Sequence, residues 1–437
     1  MKRVFGGLLI LVMMLSLSGC FMDPAESLYA VPLQPESYYN LQSEIEKLIE
    51  GGAVYSPPSA GENQQTVQLV NLDGDRDEEA VVFLKSAGDA PLSVCVFDRQ
   101  EEQYLMVDQV FGSGYAFDCV WYDTIDDAPG QELLVGRKVS EGVPLVLSVY
   151  SLQDGALVEH MSTNYAEFTI ADLDADGRRE IVSFRAGGDA QNGVAEYYRW
   201  SEGELVRARE CNLSAPVTAI KRIITGKMCR NVPAVFVGST YGENMLVTDI
   251  FALREGSFSN MTLHEDTGLA VATMREYYVY SGDIDADGLI ELPRLVALPP
   301  LPNDPNSENQ ALIYWFNLLE NGETEEKTVT YHNYSAGWYI RIPEPWQKKL
   351  GVTRSVSYAS TPVHSFVDRE SQKELFAITA FNDEKHLDTM EHNGWMQLAQ
   401  KGDITYACRF DEAAGLTQQS LRELFRFIRL DWNTGET

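Results

Sequence analysis

An acidic nine-residue segment recurs about every 50 residues, and a strand–turn–strand element recurs in phase with it; together they predict a mainly β protein. The period, with about four short strands in each unit, points to a β-propeller of about five four-stranded blades or more, followed by a small α+β domain. A lone four-stranded blade leaves both of its faces wet, and stacking blades around an axis covers them. A series of β-sandwiches or an open solenoid would account for the same repeat.

The acidic element reads Asn71-Leu72-Asp73-Gly74-Asp75-Arg76-Asp77-Glu78-Glu79, then Asp172-Leu173-Asp174-Ala175-Asp176-Gly177-Arg178-Arg179-Glu180, then Asp283-Ile284-Asp285-Ala286-Asp287-Gly288-Leu289-Ile290-Glu291. Each runs into an apolar stretch, the last with Pro293 inside it. A looser copy spans Asp123 to Glu132, and a copy stripped of its acids ends at Pro233. The second element carries a central aromatic at Phe97, Tyr150, Tyr198, Phe251 and Trp315. Two features sharing one period make coincidence a poor explanation. A further degenerate unit has room within residues 30–70 or beyond 300.

The acidic segments resemble the FG-GAP/VCBS family of propeller repeats, whose pattern is roughly D-x-[DN]-G-D-G-x-x-[DE] leading into a strand. The resemblance covers residues 66 to about 325. It is good in the third and fifth units, where Ala175 and Ala286 replace the first Gly, and fair in the first, where Asn71 and Arg76 depart from it. It implies Ca²⁺ bound in the loops. Oxygen ligands at alternate positions also suit that ion chemically. The candidate ligands are Asp172, Asp174, Asp176 and Glu180, then Asp283, Asp285, Asp287 and Glu291, then Asn71, Asp73, Asp75 and Glu79. These are not EF-hands, because position 12 holds Ser183 and Arg294 and strand-like sequence follows. The competing reading is that the Asp side chains cap turn amides as Asx-turns without metal.

The N-terminus has the three parts of a signal peptide: basic Lys2 and Arg3, the apolar run Leu8 to Leu17, and small residues before Cys20. The apolar core is too short to span a bilayer, which needs roughly 20 residues. Leu17-Ser18-Gly19-Cys20 resembles the lipobox of bacterial lipoproteins, which implies acylation of Cys20 and cleavage before it. The expected address is therefore the extracytoplasmic face of the cell membrane, reached through the lipid anchor. The chain then divides into a signal peptide (1–19), a lipidated tether with a short helix (20–50), the propeller (51–327) and the α+β domain (328–437). The helix is expected over Tyr38 to Glu50, where residues 41, 45, 48 and 49 are apolar.

The net charge is −31, and loss of Lys2 and Arg3 would deepen it. A surface this acidic repels phosphate backbones, so nucleic acid is not an expected partner. With Cys20 acylated, five cysteines remain, an odd number. Cys95 and Cys119 sit in apolar strand-like runs and read as buried thiols, while a Cys211–Cys229 bridge stays open. The lack of any CxxC argues against a structural zinc site.

Past residue 328 the pattern changes. Strands are expected at YSAGWYIRIPEPW, SVSYAS, LFAITAF and ITYACRF, with a short helix from Trp346 and a terminal helix carrying Leu421, Leu424, Phe425 and Ile428 as one stripe. This layout is similar to PsbP-like domains; a continuation of the propeller is the alternative. Leu298 to Asn309 reads as a long loop.

No G-x-S-x-G elbow, H-E-x-x-H, P-loop or G-x-G-x-x-G occurs. His386 and His392, with Asp383 and Glu384, could form a surface cation site, although solvated side chains are the simpler reading. Trp121, Trp200, Trp315, Trp338, Trp346 and Tyr241 are candidates for a ligand platform or for core. The expected function is a non-enzymatic binding or scaffold module serving an unidentified envelope protein or glycan; the alternative is a cell-envelope hydrolase or lyase acting on glycans or peptides.

Overall fold

The computed structural model describes residues 36–429 apart from 102, 189–191, 243–244, 265, 276–278, 303, 357–360 and 382–393. Cys20, Asp383, Glu384, His386 and His392 lie outside the described residues. The protein is mainly β, with six antiparallel sheets of four or five strands each among the described residues. Sheet 1 holds β1 (Val54–Tyr55), β2 (Val67–Val70), β3 (Glu79–Lys85), β4 (Leu92–Gln100) and β5 (Gln103–Gly112). Sheet 2 is β6 (Ala116–Asp123), β7 (Glu132–Lys138), β8 (Leu145–Gln153) and β9 (Ala156–Tyr165). Sheet 3 is β10 (Glu167–Ala171), β11 (Glu180–Arg185), β12 (Val194–Ser201) and β13 (Glu204–Asn212). Sheet 4 is β14 (Val217–Cys229), β15 (Val232–Tyr241), β16 (Met245–Arg254) and β17 (Ser257–Asn260).

Apart from β1, which pairs with β3, each of these is an up-and-down meander whose hairpins follow local turn chemistry. Asp154-Gly155, Glu202-Gly203 and Glu255-Gly256 have positive φ at both residues, the type I′ geometry that matches strand twist. The ladder between the third and fourth strands slips by one residue at Val96/Phe97, Val149/Tyr150, Tyr197/Tyr198 and Trp315/Phe316. The repeated aromatic therefore marks a repeated β-bulge in sheets 1, 2, 3 and 5.

The second strand of the meander in sheets 1 to 4 is buried along most of its length because both of its faces are covered. In β3, Val81 and Phe83 face sheet 2, while Ala80, Val82 and Leu84 face a helix. In β15, Val235 and Val237 pack toward sheet 3, and Ala234 and Phe236 toward the next sheet. Successive sheets thus share cores in chain order, as period-2 alternation on doubly buried strands requires. Aromatic pairs stitch them: Phe83 meets Phe117 edge-on at 5.2 Å, and Tyr197 stacks on Phe258 at 4.8 Å.

Helix α1 (Glu36–Glu50) covers the outward face of sheet 1 by laying Leu41 and Ile45 on Ala80, Val82, Cys95 and Phe97. The i, i+4 spacing of those two residues supplies the stripe. No core cluster joins the last sheet back to sheet 1 among the described residues.

Sheet 5 is ordered β18 (Leu292–Ala297), β19 (Ala311–Leu318), β20 (Thr324–Asn333), β21 (Trp338–Arg341) and β27 (Phe425–Phe427). Its first strand is reduced to the single bridge Gly282–Glu291. That leaves β18 nearly an edge strand and accommodates Pro293, which lacks an N–H. The expected boundary at 327/328 falls inside β20, at the bulge in its ladder with β19, and the strand runs on to pair with β21. Sheet 6 is ordered β22 (Leu350–Val356), β23 (Pro362–Asp368), β24 (Glu374–Phe381), β26 (Ile404–Phe410) and β25 (Met396–Lys401), and shares one core with sheet 5. A short helix, α2, spans Glu344–Gln347.

The expected terminal helical stripe is corrected. Helix α3 (Gln418–Leu424) stops at Leu424, and Phe425–Phe427 pairs with β21. An open strand edge needs backbone partners, and satisfying it outweighs one more helical turn. Cys95 and Cys119 are buried free thiols, and Cys211 and Cys229 are also free, so no Cys211–Cys229 bridge forms.

Candidate metal centres at the sheet corners

Each acidic segment forms the corner between the first and second strands of a sheet. Its final Glu opens the second strand opposite the residue just before the corner: Val70 faces Glu79, Asp123 faces Glu132, Ala171 faces Glu180, and Gly282 faces Glu291. All four Glu residues are buried. Each accepts a hydrogen bond from the backbone N–H seven residues earlier: Leu72 at 2.5 Å, Ile125 at 2.6 Å, Leu173 at 2.7 Å and Ile284 at 3.0 Å. Glu132 also accepts from the Asp126 N–H at 3.1 Å.

Corners of neighbouring sheets are joined through the backbone. The N–H just before the Glu donates to the preceding corner: Gln131 to Asn71, Arg179 to Thr124, and Ile290 to Lys227. Gly130 is needed at one such contact, because a Cβ there would lie 2.3 Å from the Leu72 carbonyl oxygen. Position 4 of three corners is left-handed, as Gly74, Ala175 and Ala286 with φ near 79°, 61° and 65°. The two alanines accept backbone strain of about 1 kcal/mol to keep the turn.

Within the corners the carboxylates cap turn amides, as an Asx-turn reading requires. Asp174 accepts from Asp176 N–H, Asp172 from Gly177 N–H, and Asp283 from Gly288 N–H. They also converge. Ligand oxygens of Asp172, Asp174, Asp176 and Glu180 lie within 4.8 Å of one another, as do those of Asp73, Asp75 and Glu79 and those of Asp283, Asp285 and Glu291. Burial, with the neighbouring Asp charges adding to it, raises the Glu79, Glu180 and Glu291 carboxyls from 4.5 to about 7. Two buried oxygens, Glu79 Oε1 and Asp172 Oδ1, have no hydrogen-bond donor. An oxygen-only donor set with orphaned buried oxygens fits a hard divalent cation such as Ca²⁺.

One expected ligand, Asp287, stands apart from its group. Asp287 pairs with Lys327 at 3.0 Å and is not gathered with Asp283, Asp285 and Glu291. Asn71 spends its amide on its own turn, donating to the Asp75 carbonyl and accepting from Gly74 N–H. Sequence reasoning missed Lys327 and Asn317, whose amide donates to Glu291 Oε1 at 3.0 Å. Both come from strands distant in the chain, and Lys327 is the bulged residue opposite Trp315/Phe316. At Asp123–Glu132 two acids turn outward instead, Asp127 to Arg178 and Asp123 to Arg179, while Asp126 is buried and accepts from Ala128 N–H. At the fourth corner, β14 joins β15 through Arg230-Asn231 with no acidic loop.

Of the aromatic candidates, Trp315 and Trp338 are core, and Trp346 and Tyr241 pack partly buried against it. Trp200 donates to Asp127, and Trp121 is exposed.

No family model matches this chain, and no curated protein is similar to it. Among solved structures it is similar to the C-terminal domain of Pseudomonas aeruginosa PilY1, at 10% identity and TM-score 0.30 over 87% of this chain and 93% of that one. The exotype rhamnogalacturonan lyase YesX gives 11% identity and TM-score 0.30 over 81% and 86%, and a Lactobacillus plantarum protein gives 10% and 0.27 over 72% and 84%. Scores this low carry neither a fold nor a function to this chain.

Proposed function

We propose that this chain is a membrane-anchored extracytoplasmic lipoprotein, lipidated at Cys20, that acts as a non-enzymatic binding or scaffold module for an envelope protein or glycan. In this reading structural Ca²⁺ occupies the corners of sheets 1, 3 and 5, held by Asp73, Asp75 and Glu79, by Asp172, Asp174, Asp176 and Glu180, and by Asp283, Asp285 and Glu291. The observation that carries the cation is convergence of the carboxylates, joined at the corners of sheets 1 and 3 by a buried oxygen with no donor; at sheet 5 the reading rests on convergence alone. When bound, the ion neutralises charges that otherwise repel and pins the turn on which the next sheet rests. The phased corner and bulge support reading the sheets as propeller-type blades, with α1 on the face a further blade would cover.

The test is a melting curve of the soluble chain beginning at Met22, with chelator and then with rising Ca²⁺. The expected result is a rise in melting temperature, equivalent to about 2.7 kcal/mol at one hundred times the dissociation constant. Asp174→Ala with Asp285→Ala should abolish most of it; an unchanged curve removes the cation reading. For the anchor, Cys20→Ser should release the protein from the membrane fraction and end labelling with a fatty-acid analogue.

A further inference from the structure

A cleft of about 410 Å³ opens between sheets 5 and 6, far from the acidic corners in sequence. It is lined among others by Asn333, Ser335, Arg354, His364, Thr379 and Tyr406, and among the described residues no carboxylate lines it. Arg354 is out of keeping with its strand. In β22, Leu350 and Val352 point into the core shared with sheet 5, and alternation puts Arg354 on that same side. A cation thus continues an apolar column and stops at the cleft. Among the described residues no carboxylate pairs with it, whereas Arg185, Arg207 and Arg409 each engage a Glu.

The surroundings are built for a polar guest. His364 lies directly across the ladder from Arg354 and is buried, with its ring edge-on to Trp338 at 5.8 Å. Asn333, also buried, holds that ring through its amide at 3.3 Å and accepts from Ser335. The Tyr406 hydroxyl donates to the Ala336 carbonyl, and Thr379 to the Pro362 carbonyl, which fixes the walls. Burial first, and Arg354 second, hold the His364 imidazole down at about 4, so it stays neutral and Arg354 alone supplies charge.

We propose that this cleft binds a small carboxylate-bearing ligand, the carboxylate taken by the Arg354 guanidinium and the remaining polar groups by the Asn333, Ser335 and His364 side of the cleft. A planar guanidinium fork matches a carboxylate two-to-two, while a phosphate dianion would call for more than one cation. The site shares no residue with the acidic corners and does not rest on the cation reading.

The test is calorimetric titration of the soluble chain with D-glucuronate, benzoate and acetate, with D-glucose and benzyl alcohol as neutral counterparts and inorganic phosphate as the other oxyanion. At least one carboxylate should bind saturably and its neutral counterpart should not. Arg354→Gln should weaken binding about tenfold or more, and Arg354→Lys should fall between. Arg354 is exposed, so both variants should keep the wild-type melting temperature. Asp174→Ala with Asp285→Ala should leave this binding unchanged. The proposal is overturned by no saturable carboxylate binding up to about 10 mM, by equal binding of the neutral compounds, by tighter binding of phosphate, or by an Arg354→Gln variant that binds as wild type does.

Discussion

The corner of sheet 3, Asp172–Glu180, and the corner of sheet 2, Asp123–Glu132, are built on the same backbone plan. In both, a buried Glu accepts the N–H seven residues earlier, and the N–H of the residue before it donates to the preceding corner. Their other acids part company. Those of sheet 3 converge on one centre; in sheet 2, Asp127 and Asp123 reach across to Arg178 and Arg179, and only Asp126 stays buried beside the Glu. The buried Glu is therefore a device of the fold, present whether or not a cation centre surrounds it. What sets the corners of sheets 1, 3 and 5 apart is convergence of the alternate Asp side chains on the Glu, with an oxygen left without a donor at sheets 1 and 3.

The largest expected effect separates stacking from turn geometry. Gly130→Ala should cost about 3 kcal/mol or more, because positive φ and a collision with Leu72 act together. Gly177→Ala, also at positive φ but with nothing within 4 Å of the new Cβ, should cost only about 1 kcal/mol. Equal losses in urea unfolding would mean that contact between corners contributes little.

Next in size is removal of the capping carboxylates. Glu132→Ala strands two buried amides and should cost about 2–5 kcal/mol, against about 1–3 for Glu180→Ala, which strands one. Measured with chelator and with Ca²⁺, the first loss should be the same in both, and the second should grow in Ca²⁺. A Ca²⁺-dependent loss at Glu132 would erase the distinction between the corners.

The smallest effect is a pH slope. Burial raises Glu132 from 4.5 to about 7, so the fold favours its protonated form. That contribution is complete below pH 4.5 and disappears as pH rises through about 7. Wild type should lose stability across that window relative to Glu132→Gln, whose side chain does not titrate. Parallel pH profiles would show that the carboxyl ionises as freely folded as unfolded.

The repeat was legible because its signals are short-range. An Asp two residues from the amide it caps, a Gly or Ala at a left-handed position, and an aromatic at a bulge all act within a few residues. Helix α1 was legible for the same reason. The stripe at Leu421, Leu424, Phe425 and Ile428 misled, since three of those side chains are buried and Leu424 half-buried without a continuous helix, and the free edge of β21 chose a strand for Phe425–Phe427. Arg354 left a faint mark, a cation in phase with Leu350 and Val352, which only the cleft makes meaningful.

By itself the sequence determined strand alternation, hairpin chemistry and the acidic corner with its capping Glu, all of which are settled within one unit of about 50 residues. Only the tertiary structure decided which sheet covers which face, which carboxylates converge and which turn to a neighbour's arginines, and that β21 and β27 complete sheet 5. Those outcomes depend on groups brought together from distant parts of the chain, where burial and charge, unlike local turn geometry, depend on what packs alongside.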